Sequence, residues 1–379
     1  MSEASTDRFV SLDFWRGLAL VTIFVNHIPG NPAEAFTHKN FGFSDAAEAF
    51  VLLAGVAAAL AYLPGMAAGT YARQSVRIGL RAWTLYVSHI VVIALCGAAV
   101  AYGVLATGDV RILEATQFDQ IIGAPLEAAI GVATLGLQPA YLNILPRYIV
   151  LLLMTPALLC LVAIDARLAL VASGAVYVVA QATGVALPSY PGVDAWYFNP
   201  LTWQFLFAVG LCAGAALVRG RALRVPGWLV ALAVAYVVGA LVWTRSGFYY
   251  PHDLAPVPRF VWDFDKTNLS LPRLLHVLSL AVIVMALPLE KLLRNASAAR
   301  PVILLGRNAL PVFCTGTVLA FAAMPLRAGE LGHPALDFLI VPGGIAVQFM
   351  LAWMLEWYRV GARAAPANSL RAQDATAGA

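Results

Sequence analysis

Long apolar runs alternate with short polar breaks along this chain, and ten of the runs approach the roughly twenty residues that carry a helix across a bilayer. They cover about 12–29, 45–63, 78–106, 144–164, 167–187, 199–218, 227–243, 271–289, 301–324 and 335–358. The pattern predicts an all-α polytopic membrane protein of about ten transmembrane helices. One stretch, 119–137, is broken and polar at its start, which predicts an interfacial or re-entrant piece rather than a span. The first run lacks a small-residue cleavage site and is expected to stay as a helix. No internal repeat or low-complexity linker divides the chain. Residues 1–363 therefore read as one integral-membrane domain, and 364–379 as a loose, disordered polar tail.

Basic residues orient the spans. With the N-terminus in the cytoplasm, segments on that side hold fourteen Lys and Arg, and segments on the other side hold seven. The excess lies in short loops, where the positive-inside rule is most reliable. Both termini are then cytoplasmic, and the longer loops 107–143, 188–198 and 244–270 are external. The last of these mixes Phe248, Tyr249, Tyr250, Phe260, Trp262 and Phe264 with Asp253, Asp263 and Asp265. Such a mixture suits either an aromatic belt at the headgroups or a surface that stacks on sugar faces and accepts from sugar hydroxyls.

Composition agrees with this picture. The chain is 61% hydrophobic and 12% charged, with a mean hydropathy of +0.79, more apolar than a soluble domain requires. A net charge of +4 gives no indication of nucleic acid. Cys96, Cys160, Cys212 and Cys314 all lie in apolar runs without neighbours at metal-ligand spacing. They read as small buried hydrophobes, so neither a disulfide nor a metal site is expected.

The candidate chemistry begins where ionisable residues interrupt apolar helices, a costly placement that is usually functional. Arg16 and His27 are eleven residues apart, about 20° in azimuth and roughly 16 Å along one helix. Asp13, one turn before Arg16, shares the stripe. His27 at the outer end is a candidate base for an incoming hydroxyl. Arg16 is a candidate ligand for an anionic group such as a phosphate, with Asp13 orienting it. Alternatively, Asp13 and Arg16 only pin a helix end. A second polar group follows in Asn40, Ser44, Asp45 and Glu48. Here Asp45 and Glu48 either cap the second helix or orient a histidine. His38, in the same loop, rivals His27 as the base. Farther on, Asp265, Lys266, Thr267 and Asn268 precede a helix with Arg273 and His276 one turn apart, a candidate site for an anionic acceptor or an acyl carboxylate. Arg307 and Asn308 lie level with Arg16 and complete a candidate inner anion site. Arg147 reads as an interfacial anchor.

LDFWRGLALVTIFVNHIPG, NFGFSDAAEAFVLLAG, YLNILPRYIVLLL, FDKTNLSLPRLLH and LGRNALPVFC together resemble OpgC-type membrane proteins over most of the chain. That resemblance implies O-succinylation of osmoregulated periplasmic glucans at the bacterial inner membrane. More loosely, Asp13, Arg16 and His27 resemble the first-helix pattern of the membrane acyltransferase-3 group, where an arginine and a histidine at this spacing are functionally important. Arg8, five residues before Asp13, departs from that group's spacing. The DxxRG start also resembles the lysosomal heparan-glucosaminide acetyltransferase group. There the active histidine lies in the following loop, in a context closer to His38, so the choice of base stays open.

These resemblances imply an acyltransferase-3-like bundle with succinyl-CoA as co-substrate and no permanently bound cofactor. His27 (or His38), Asp13, Arg16, Asp45 and Glu48 would be catalytic, and Arg16, Arg307 and Asn308 would bind the donor. Asn40, Trp262, Asp265, Lys266, Asn268, Arg273 and His276 would hold the glucan. The alternative is a transporter or flippase, with the polar stripe lining a path for glucan or a small anion. The sequence does not indicate an oligomeric state.

Overall fold

The computed structural model describes residues 10–192, 194–221, 224–246, 262–328 and 334–376. Helix α1 (Val10–Asn26) leads through two short 3-10 turns, Pro32–Phe36 and His38–Asn40, into α2 (Ala46–Ala67) and then α3 (Tyr71–Thr107). Three short helices follow: α4 (Arg111–Thr116), α5 (Asp119–Gly123) and α6 (Pro125–Ala133). Next come α7 (Ile144–Ile164), α8 (Ala166–Thr183), α9 (Pro200–Val218), α10 (Gly227–Arg245) and α11 (Leu271–Ala286). The chain closes with α12 (Leu289–Asn295), α13 (Arg300–Arg307), α14 (Ala309–Ala328) and α15 (Asp337–Thr376). Among the described residues there is no strand, only an isolated bridge between Pro188 and Ala195.

Eight described helices are long and apolar enough to cross a membrane, nine if α11 and α12 form one bent span. α1 adds a 17-residue helix over the first expected span. The segment 119–137 holds only short helices, too short to cross.

Three expectations need correction. The expected span 301–324 is two helices. Pro311 has no N–H to donate to the Arg307 carbonyl, and the Asn308 amide donates instead to the carbonyls of Leu304 (3.0 Å) and Ala352 (3.4 Å). The span 271–289 bends by 69° between α11 and α12, where Pro288 stands in the break. The last helix also continues to Thr376 rather than ending in a loose tail at Arg363, over a stretch that holds five alanines, the best helix former, besides Pro366.

Two close helix crossings set the frame. A Cβ on Gly55 of α2 would lie 2.1 Å from the Phe207 carbonyl oxygen of α9, and one on Gly210 would lie 2.1 Å from that of Leu52. Likewise a Cβ on Gly17 of α1 would sit 1.9 Å from the Val302 carbonyl, and one on Gly306 1.8 Å from that of Asp13. Only glycine permits such backbone contact, the usual device where lipid offers no hydrophobic drive between helices. These crossings align α1, α2, α9 and α13. The C-terminus of α1 then meets the N-termini of α2, α7, α9 and α11 at one end of the bundle. The N-terminus of α1 meets the α13–α14 break and the later part of α15 at the other end.

Candidate active site

At the first end a cavity of about 410 Å³ opens between these termini. His27, in the turn that ends α1, lines it at 8% exposure. The His27 ring lies 5.0 Å from that of Tyr141 between centroids, and its Nδ1 is buried without a hydrogen-bond partner among the described residues. Asn26, Gln117, Gln138, Asn143, Tyr197 and Phe198 supply further polar and aromatic wall. Glu34 and Lys39, also in the lining, pair with each other.

The loop after α1 is tied down locally. Asn31 Nδ2 donates to the carbonyls of Val25 (2.8 Å) and Ile28 (2.6 Å), while Thr37 Oγ1 donates to Asn26 Oδ1 at 2.9 Å. The Asn31 bonds satisfy backbone carbonyls where the helix ends, and together with the Thr37 bond they fix the turn that carries His27.

A buried charge cluster forms the wall opposite. Asp45 caps α2: its Oδ1 accepts from Ala47 N at 2.8 Å, and Glu48 Oε2 accepts from Asp45 N at 2.9 Å, a capping box. The remaining oxygens face cations. Glu48 Oε1 accepts from Arg273 Nε at 2.7 Å and meets Arg273 Nη2 at 2.5 Å. Asp45 Oδ2 pairs with Lys266 and lies 3.6 Å from Arg273 Nη2. Burial pushes the Asp45 carboxyl up, but Lys266 and Arg273 outweigh it and hold that group, just outside the α2 span, well below the usual carboxylate range. Trp203 Nε1 donates to the Lys266 and Thr267 carbonyls at 3.2 and 3.1 Å, which fixes the lysine's backbone against α9.

The opposite end of the bundle holds a looser charge group. Arg16 Nη1 is 4.0 Å from Asp13 Oδ1, and Arg307 Nε is 3.6 Å from Asp13 Oδ2. Arg307 Nη1 lies 3.8 Å from Glu356 Oε1, and Arg359 Nη1 lies 3.3 Å from Glu356 Oε2. Arg359 also donates to Asn308 Oδ1. Three arginines thus share two carboxylates there.

Residues 8–360 match the OpgC protein family. The chain belongs to that family. Its membership covers nearly the whole chain and implies a transferase role in periplasmic glucan modification. No curated protein and no solved structure matches the chain. Among the described residues, no group of three or more His, Cys, Asp or Glu side chains is arranged to hold a metal ion.

In this OpgC-family chain the expected site residues divide sharply. His27, Asp45 and Lys266 meet around the cavity, with Glu48 and Arg273 behind them. All four carboxylate oxygens of Asp45 and Glu48 are engaged by the cap and the cations, so neither carboxylate orients the partnerless Nδ1 of His27. His38 is half-buried in its 3-10 turn and does not line the cavity. His276 stands 2.7 Å from Ser44 Oγ through Nδ1, against Gly42, where a Cβ would lie 2.1 Å from Nε2. Asn40 donates to the Glu34 and Thr37 carbonyls. Asp265 and Asn268 brace their own turn, and Asn268 Oδ1 accepts from Asn199. Trp262 is half-buried and outside the lining. Phe248, Tyr249, Tyr250, His252, Asp253 and Phe260 lie outside the described residues.

Asp13, Arg16, Arg307 and Asn308 gather at the far end, but both polar atoms of the Asn308 side chain are occupied within the protein. Arg147 is no interfacial anchor. It is 1% exposed, with its guanidinium carbon 4.0 Å from the Phe198 ring centre and 4.1 Å from that of Trp203. Sequence reasoning also passed over Glu34, Gln117, Gln138, Tyr141, Asn143 and Tyr197. The polar run QPAYLN just before α7 was the available signal for half of them.

Proposed function

We propose that this chain is an inner-membrane O-acyltransferase that moves a succinyl group from a cytoplasmic thioester, of the succinyl-CoA kind, to hydroxyls of a periplasmic glucan. The observation that carries the reading is His27. It is a histidine set in a cavity wall, with a ring nitrogen that no group among the described residues occupies, in a chain whose family modifies glucans. As the glucan oxygen attacks the thioester carbonyl, His27 takes the hydroxyl proton. The C–O bond forms, the C–S bond breaks, and the proton passes to the departing thiolate. Proton transfer of this kind typically contributes about 10²–10⁴ to rate.

Arg16 and Arg307 would hold the donor's phosphates at the other end of α1, assisted by Arg359. The roughly 16 Å between Arg16 and His27 suits a long carrier arm lying along the helix. The basic-residue bias supports cytoplasmic termini, with the His27 end facing the periplasm.

The test is purified protein in detergent with succinyl-CoA labelled in the acyl group and a neutral glucan. The reading predicts covalently labelled glucan and free thiol in equal amounts. Glucan that crosses a reconstituted bilayer without acquiring label would replace this reading with a translocation pathway.

A further inference from the structure

Among the described residues, the cations beside the cavity pair with carboxylates, with one exception. Lys266 and Arg273 are matched by Asp45 and Glu48, and Lys39 at the cavity is matched by Glu34. Arg147 remains. It is 1% exposed, and its Nε and Nη1 are buried with no hydrogen-bond partner among the described residues. The two rings beneath it attract the cation through their faces but offer nothing to its in-plane N–H groups. Asp45 and Glu48 are within electrostatic reach, yet their oxygens are already committed.

An unpaired buried cation with unsatisfied donors is strongly unfavourable, and the guanidinium fork matches a carboxylate. Asn143 and Ile144, four and three residues earlier, line the cavity, so Arg147 lies one helical turn beneath its floor on the same face of α7. Phe198 links the two. It lines the cavity, carries Arg147 on its ring, and has Lys266 Nζ 5.4 Å from its centre.

We infer that Arg147, with Lys266 above it, is the recognition site for the free carboxylate at the far end of a dicarboxylic acyl group, and so selects succinyl over uncharged chains of the same length. The inference rests on the acyl-transfer reading. The same chemistry would also suit an anionic substituent already on the glucan, so an unsubstituted glucan is the acceptor of choice. With it, only the donor carries a carboxylate.

The experiment compares kcat/KM for succinyl-CoA and butyryl-CoA in the full-length protein and in Arg147→Met. The wild type should prefer succinyl, and the substitution should lower the succinyl-to-butyryl ratio roughly 10- to 100-fold, the range for lost charge-assisted hydrogen bonds. Where the Met variant does not fold, Arg147→Lys decides. It keeps a cation over the rings but loses the fork, and should lower the ratio several-fold.

A ratio unchanged in a folded variant, or a wild type without succinyl preference, overturns the proposal. So does a change seen only with previously succinylated glucan, which would move the anion to the acceptor. Binding gives a readout independent of turnover. Free butyrate, but not the isosteric butyramide, should raise the melting temperature of the wild type, and Arg147→Met should abolish the difference. If no acyl transfer occurs yet this difference holds, the transfer reading fails and the carboxylate site stands. If transfer occurs and butyramide binds as butyrate does, the site fails alone.

Discussion

The two ends of α1 treat charge in opposite ways. At the His27 end, Glu48 is fully buried and grips Arg273 at 2.5–2.7 Å, and every oxygen of Asp45 and Glu48 has a fixed partner. At the Arg16 end the pairs stand 3.3–4.0 Å apart, and the arginine side chains are 24%, 32% and 45% exposed. A tight buried network is costly to rearrange and holds walls in place. A looser one with partly exposed arginines can exchange a carboxylate for an incoming anion at less cost. The contrast fits the proposed division of labour, in which the first end positions and the second receives the donor.

Breaking one pair at each end gives the largest expected contrast. Glu48→Ala strands Arg273 in the interior and removes half of a capping box, so it should cost about 3–5 kcal/mol. Glu356→Ala loosens a partly exposed pair and should cost within about 1 kcal/mol. Denaturant unfolding of the two variants in the same detergent measures both. Equal losses would mean that the two ends do not differ in kind.

A smaller effect sharpens the receiving role. Arg16→Ala should weaken donor binding by about 1.5–3 kcal/mol while glucan binding stays within twofold, read by titrating each ligand into purified protein. Unchanged donor affinity would leave Arg16 as a structural partner of Asp13.

Much of this frame could be read along the chain, because hydropathy runs and caps are local. The Asp45–Glu48 capping box follows from residues three apart, and the stripe of Asp13, Arg16 and His27 from helical geometry alone. The roles of later polar residues were harder to see. Asn40, Asp265 and Asn268 look like ligands in sequence, yet they are spent on turns, because loop backbone needs its own hydrogen bonds, and His276 is held by Ser44 through Nδ1 outside the cavity lining. Arg147 was misread for the converse reason. An arginine near a helix end normally snorkels to water, and the rings that enclose it, Phe198 and Trp203, lie some fifty residues away. The pairing of Lys266 with Asp45 likewise exists only once α2, α9 and α11 are packed together.

In the proposed reaction His27, and not the loop histidine, takes the proton. Turnover of His27→Ala and His38→Ala, measured side by side with donor binding as the control for folding, tests it most directly. Among the described residues His27 lines the cavity with a ring nitrogen that has no partner, whereas His38 is not in the lining. His27→Ala should therefore bind donor normally and transfer at least about a hundredfold more slowly, with His38→Ala within a few-fold of wild type. A dead His38→Ala beside a nearly normal His27→Ala would contradict the account.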